Sequence, residues 1–286
     1  MTVPPVAPSE VVGTAASARD VAAHRAGVVV RNVERMADLR AVSRLLESVW
    51  GRADEGAPIP SEVMRSLAHA GGCTTAAFAD DGSLVGAATL AVAAPTGSTY
   101  SLIAAVAPGT ADRGVGRVLK LHQRAWALEQ GFRTMRWTFD PLVARNARFN
   151  LTRLGAWAGE YAVGFYGRMS DEVNGDDEAD RLVAVWDLAS PRAVAAADGA
   201  SGEPTGPAMD ADAVADAPDG SPLALHDPTG LWIRVPQDIV ALRRTSPEVA
   251  GRWRLAVREA FVIAFEHGLV ATHATRGGCY LLEEAP

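Results

Sequence analysis

The residues best placed to do chemistry are Arg113-Gly114-Val115-Gly116-Arg117, which stand where an apolar run ending at Ala107-Pro108 gives way to a helical one. Gly114 and Gly116 carry no Cβ, so a phosphate oxygen can approach the main chain. A helix beginning there also offers unpaired N–H groups at the positive end of its dipole. Arg113 and Arg117 add guanidinium donors whose planar fork suits phosphate oxygens. The expected ligand is a diphosphate, with Arg113, Gly114, Val115, Gly116 and Arg117 as its cradle. Lys120 and Arg124 follow closely and extend the patch of positive charge. Taken alone the string is also that of a plain turn before a helix, and both readings stay open at this point.

The elements that must hold this turn follow from periodicity. Val28-Val29-Val30 reads as a strand, and Leu39, Val42, Leu45, Leu46, Val49 and Trp50 recur at helical spacing after it. Pro60 and Ser61 open a short helix that Gly71 and Gly72 close. Cys73 to Ala79 and Leu84 to Val92, joined through Asp80-Asp81-Gly82, form a β-hairpin pattern. A fourth strand runs from Tyr100 to Ala107. The helix after the glycine turn presents Val115, Val118, Leu119, His122 and Trp126 and stops at Gly131. Thr134 to Phe139 is a fifth strand, Asn146 to Leu154 a helix, and Ala158 to Phe165 with Arg181 to Leu188 a closing pair of strands. After an Ala-, Asp-, Gly- and Pro-rich stretch, Leu231 to Pro236 reads as a strand. Ser246-Pro247-Glu248 then opens a long helix ending at His267-Gly268, and Val270 to Leu282 adds one or two strands.

The expected class is therefore α/β, a central mixed sheet flanked by helices with a C-terminal β-α-β extension. Its expected division is an unstructured segment over residues 1–25, a domain over 26–188, a linker over 189–224 and an extension over 225–286 packed on that domain.

A glycine turn after the fourth strand, with no G-x-G-x-x-G after the first and no Walker lysine, is not the pattern of a dinucleotide or P-loop fold. It resembles the GNAT acyltransferase superfamily, whose diphosphate motif runs Arg/Gln-x-x-Gly-x-Gly/Ala at this place. Gly114 and Gly116 match its two small positions, while Ala111 stands where the family usually has Arg or Gln. Trp137-Thr138-Phe139-Asp140-Pro141-Leu142, Arg145-Asn146-Ala147-Arg148-Phe149-Asn150 and Leu154-Gly155-Ala156 are similar to a GNAT branch with a C-terminal extension. Tyr166-Gly167, Asp180-Arg181-Leu182 and Trp186 extend the likeness, which resumes at Val235-Pro236, Trp253-Arg254 and Arg258.

The resemblance implies an acyl-CoA-dependent N-acyltransferase that moves an acetyl or other short acyl group, succinyl included, from acyl-CoA to a small-molecule amine such as an amino acid. It implies that the acyl-pantetheine arm lies between the fourth and fifth strands against the backbone of Ala104, Ala105 and Val106, with Asn146 and Asn150 near the arm. Asp140, at the end of the fifth strand, becomes the candidate base, although Asp before Pro is also the sequence of an Asx turn. The family's thiolate-protonating Tyr aligns with Leu151, which cannot donate, so Tyr166 or Tyr161 is the expected substitute. Arg254 and Arg258 are candidates for gripping a substrate carboxylate, or else lie on a solvated helix face. A non-catalytic acyl-CoA sensor, and an acyl-CoA hydrolase or decarboxylase, are the alternatives on the same fold.

Bulk properties narrow the partners. A formal charge of -7 over 286 residues argues against extended contact with nucleic acid. No apolar run approaches the ~20 residues that span a bilayer, and the start of the chain lacks a secretory apolar core, so the expected location is the cytoplasm. Cys73 and Cys279 are too few for a metal framework, and no metal is expected. A homodimer is left open.

Overall fold

The computed structural model describes residues 9–50, 57–93, 97–110, 112–167 and 178–285. In chain order the elements are α1 (Ser9–Ala26), β1 (Val28–Asn32), α2 (Met36–Trp50), α3 (Ser61–His69), β2 (Cys73–Ala79), β3 (Leu84–Ala93), β4 (Ser98–Val106), α4 (Val115–Glu129) and β5 (Thr134–Phe139). There follow α5 (Ala144–Ala147), a π-helical stretch (Arg148–Arg153), β6 (Trp157–Ala162), β7 (Arg181–Asp187), α6 (Pro191–Asp198), β8 (Asp212–Asp216), β9 (Pro222–Asp227) and β10 (Gly230–Arg234). Last come α7 (Ile239–Thr245), α8 (Pro247–Glu266), β11 (Leu269–Ala274) and β12 (Cys279–Glu284).

These elements form two compact units. The first is the chain through Trp137 together with Asp187–Asp198, and the second is Thr138–Trp186 with everything from Gly199 onward. In the first unit the strands run β1-β2-β3-β4-β5, antiparallel until the last pair, which is parallel. Alternation along the strands loads both faces of this mixed sheet. Ala77 and Ala88 face α1 and α4 through Ala23, Ala26, Val118 and Leu119, while their neighbours Ala76 and Ala87 face α2 and α3 through Leu39, Val42, Leu46 and Met64. Small residues on the strands let helices lie close on both sides, which explains a sheet of Ala and Thr rather than the usual Val and Ile.

In the second unit the strands run β7-β6-β11-β12-β10-β9-β8, antiparallel at each pairing. The C-terminal β-α-β unit is present, with Pro247 at the start of α8 as its sequence requires and an extra short helix, α7, capped by Asp238 Oδ1 accepting the Ala241 N–H at 2.9 Å. The expected boundary at residue 188 is not where the chain divides. The extension shares its compact unit with β6, β7 and the π-helical stretch.

Two segments expected to lack structure contain regular elements among their described residues. Residues 1–25 include most of α1, whose buried positions are Ala15, Ala23 and Ala26. Alanine is the best helix former but contributes almost nothing to an apolar periodicity, so a helix that packs through alanines carries no amphipathic signature. The same holds for residues 189–224. There α6 buries Ala193, Ala196 and Ala197, with Ser190 Oγ accepting the Ala193 N–H at 3.2 Å as its N-terminal cap, and β8 is an exposed edge strand. The helix expected over 146–154 is instead one turn of α5 followed by the π-helical stretch. Among the described residues no helix is long and apolar enough to cross a membrane.

Candidate functional site

The glycine turn opens α4 as the sequence requires. Gly114 is the N-cap residue at φ 85°, and its carbonyl accepts the Val118 N–H at 3.1 Å. A left-handed backbone here excludes a β-branched residue, whereas a Cβ on Gly116 would meet only Val106 Cγ2 at an ordinary 3.7 Å. Just before the turn, Asp112 sits at φ 66°, the one non-glycine residue at positive φ among the described residues. Gly114 has no side chain with which to cap the first turn, so the amides that follow, Val115 and Gly116, suit an external acceptor.

Beside this turn lies a cavity of about 460 Å³, walled by α1 through Thr14, Ser17 and Arg25, by Arg113 and Gly114, and by the end of α6. Arg113 is exposed. The Arg117 guanidinium also lines the cavity, but it donates to the carbonyls of Ala196 at 2.9 Å and Ala197 at 2.7 Å, the last turn of α6. Its expected role as a phosphate ligand is thus corrected to that of a helix C-terminal cap and cavity wall. The basic patch expected from Arg113, Arg117, Lys120 and Arg124 is smaller than its sequence suggests. Lys120 and Arg124 are buried, and Arg124 Nε donates to Leu188 O at 2.8 Å. Arg25, on the helix missed by periodicity, takes their place.

A gap opens along β4. That strand pairs in parallel with β5 only at Thr99 with Met135 and Tyr100 with Arg136. Ala104, Ala105 and Val106 pair on their other side with Ala88, Ala87 and Gly86 of β3. A register shift sets Thr89 opposite Ile103 and Leu90 opposite Ser101, so Leu102 is an inserted residue that bends β4 where it parts from β5. Main-chain groups of Ala104 to Val106 on the β5 side are therefore available to a ligand arm.

The second unit holds the other expected site residues, and here the structure corrects several. Asp140 is 7% exposed, and its carboxylate accepts from Arg254 at 2.9 and 3.1 Å, from Arg243 at 2.5 Å and from the Leu142 N–H at 2.9 Å. The last bond is the Asx turn that its place before Pro141 allows. Burial pushes this carboxyl up, but the Arg254 and then the Arg243 guanidinium outweigh it and bring the pKa down to about 2. A carboxylate so held is a poor proton acceptor, so Asp140 is an ion-pair centre rather than a base. Arg254 is correspondingly committed and only 1% exposed. Arg258 bonds Asp180 at 2.9 and 3.0 Å and pairs with Glu178, so neither arginine is left to grip a substrate.

Tyr161 donates to Asp180 at 2.8 Å, and burial together with that carboxylate pushes its phenol above the usual range. Tyr166 is 48% exposed, within 3.0 Å of Thr138 Oγ1, with the Arg181 guanidinium over its ring at 5.3 Å. Asn146 is exposed on α5, and Asn150 is buried in the π-helical stretch, where Leu151 is buried as well. Ala111 lies outside the described residues.

A buried polar group in the first unit escaped the sequence reading. Lys120 Nζ donates to Ser101 Oγ at 2.9 Å and lies 3.9 Å from the centre of the Trp137 ring, and Ser101 Oγ donates to Gln123 Oε1 at 3.1 Å. A signal existed, because residues 117, 120 and 124 recur at the spacing of one helix face. Charge alone suggested solvent.

Residues 13–141 match the family model of the acetyltransferase (GNAT) domain. Among solved structures, a GNAT-family protein of Desulfovibrio desulfuricans is 24% identical over 57% of this chain and 99% of its own, with a TM-score of 0.44. The ribosomal-protein-S18-alanine N-acetyltransferase of Escherichia coli is 15% identical over 57% of this chain and 95% of its own, with a TM-score of 0.47. A Bacillus subtilis acetyltransferase in complex with CoA is 18% identical over 56% of this chain and 98% of its own, with a TM-score of 0.44. No curated protein matches the chain in sequence. Residues 13–141 thus carry the acetyltransferase (GNAT) domain of that family model.

Proposed function

We propose that the chain transfers a short acyl group from acyl-CoA to the amine of a small molecule, an amino acid or related metabolite. The observation that carries this is the uncapped start of α4 at Gly114, beside an arginine-lined cavity of about 460 Å³ and the strand β4 that leaves β5 after Tyr100. Val115 and Gly116 amides with Arg113 would hold the diphosphate, Arg25 the phosphorylated nucleoside end, and the main chain of Ala104 to Val106 the pantetheine arm. Bound there, acyl-CoA would supply a thioester activated toward an amine. The residues supply alignment, which is the largest part of what direct attack by an amine needs. No base is assigned, Asp140 being withdrawn from that role.

A second reading, a non-catalytic acyl-CoA sensor, draws on Leu151 standing where the family's tyrosine stands and on Asp140 being closed by two arginines. Calorimetric titration with CoA tests the shared premise. Gly116→Val is expected to weaken CoA by about 100-fold, because its side chain covers the first-turn amides while its Cβ fits beside Val106. Gly114→Val is not a clean test, since its φ of 85° strains any β-branched residue. Full affinity in folded Gly116→Val sinks the diphosphate site. Thiol release with a panel of amines then separates enzyme from sensor, which would bind acyl-CoA without turning it over.

A further inference from the structure

The fork between β4 and β5 has a floor. The last paired residues are Tyr100 and Arg136, so Ser101 and Trp137 are the first residues beyond the pairing on each strand. Lys120 Nζ lies between those two side chains, bonded to one and over the ring of the other. All four members of the cluster are buried, with Lys120 4% and Gln123 0% exposed. Among the described residues no carboxylate pairs with Lys120.

Hydrogen-bond accounting shows an excess of donors. An ammonium has three N–H groups and a primary amide two. Within the cluster the acceptors are Ser101 Oγ, used by Lys120, and Gln123 Oε1, used by Ser101. Among the described residues, the buried Gln123 Nε2 has no hydrogen-bond partner. Two donor groups on adjacent turns of α4 thus converge on one place with capacity left. Groups of this kind inside a protein are paired in nearly every case, so an oxygen acceptor of a ligand is what the place fits. A carboxylate fits best, since it meets both the unused donors and the unbalanced charge.

The position suits an acyl chain. An arm that starts from a diphosphate at the head of α4 and follows β4 back from Val106 to Ser101 covers ~17 Å, five residues of strand. Its end is then at the floor of the fork. Building on the acyl-CoA reading above, we propose that Lys120 and Gln123 select an acyl-CoA whose acyl chain ends in a carboxylate, the monothioester of a short dicarboxylic acid. Burial that pulls the Lys120 amine down to about 7 is consistent with an amine lacking an internal counter-ion, and a ligand carboxylate would restore its charge.

Calorimetric titration of the full chain with CoA, butyryl-CoA and succinyl-CoA tests this. The two thioesters have equal chain length and differ in ending on a methyl or a carboxylate. We expect succinyl-CoA to bind at least about tenfold tighter than butyryl-CoA, a charge-assisted hydrogen bond's contribution, and the ratio to fall toward one in Lys120→Met. Equal or weaker binding of succinyl-CoA by the unaltered protein overturns the proposal whether or not the variant folds. A ratio that survives in folded Lys120→Met also overturns it. If CoA itself does not bind, the acyl-CoA reading falls and this proposal with it, whereas CoA binding without the preference removes this proposal alone.

Discussion

Asp140→Asn is expected to destabilise the protein by about 3–5 kcal/mol, the usual cost of removing one partner from a buried ion pair. The variant leaves Arg254, 1% exposed, and Arg243 facing an amide that matches neither their charge nor their two-pronged geometry. Tyr280, which donates to Pro141 O at 2.6 Å in the turn that Asp140 closes, is expected to loosen with it. The pH dependence has a definite sign. Because the folded pKa is depressed from 3.8 to about 2, the pair's contribution is complete above pH 4 and is lost as pH falls through about 2. That titrating part is on the order of 2 kcal/mol. Urea unfolding of both proteins at pH 7, 5, 3 and 2 should therefore show a gap that narrows at the acid end. Wild-type stability in the variant, combined with a selective loss of turnover, would restore Asp140 as a base.

Why that role was legible only as a possibility follows from chain separation. The Asx turn is local, and Asp140-Pro141-Leu142 contains all of it. The two guanidiniums lie 103 and 114 residues away on α7 and α8, and no periodicity couples residues across such a distance. Arg254 and Arg258, expected to grip a substrate carboxylate or to lie on a solvated face, are instead paired with carboxylates of the chain itself. The sign of their partner was the missing piece, since Asp140 and Asp180 already supply the carboxylates.

The first unit was read more fully because its information is local. Glycine at 114 is favoured by a left-handed φ that β-branched and bulky residues adopt only under strain, and the order of strand, turn and helix around it is encoded in adjacent residues. By contrast α1 and α6 pack through alanines, which fill space without contributing to apolar periodicity. With them went Arg25 and most of the cavity wall beside the glycine turn. The splay of β4 from β5 was legible only through family resemblance. It lies beside the register shift at Leu102, which interrupts the pairing of β3 with β4 and leaves no mark in apolar periodicity.

Lys120→Met is expected to make the protein more stable at pH 7, by on the order of 3 kcal/mol. In the unfolded chain the amine titrates near 10.5, whereas burial brings it to about 7 in the fold. Each unit of that difference is worth about 1.4 kcal/mol, from which the variant's lost bond to Ser101 and lost contact with Trp137 subtract ~1–2 kcal/mol. Between pH 7 and 10.5 the unfolded state holds a proton that the folded state has released, so the native protein gains stability relative to the variant as pH rises. Denaturation midpoints compared from pH 7 to pH 10 should thus converge. A variant less stable at pH 7, or a gap indifferent to pH, would mean that the amine is well solvated or internally paired. A residue whose removal strengthens the fold is one the fold does not need. Its position at the parting of β4 and β5 leaves the ligand as the part of the system that gains from it.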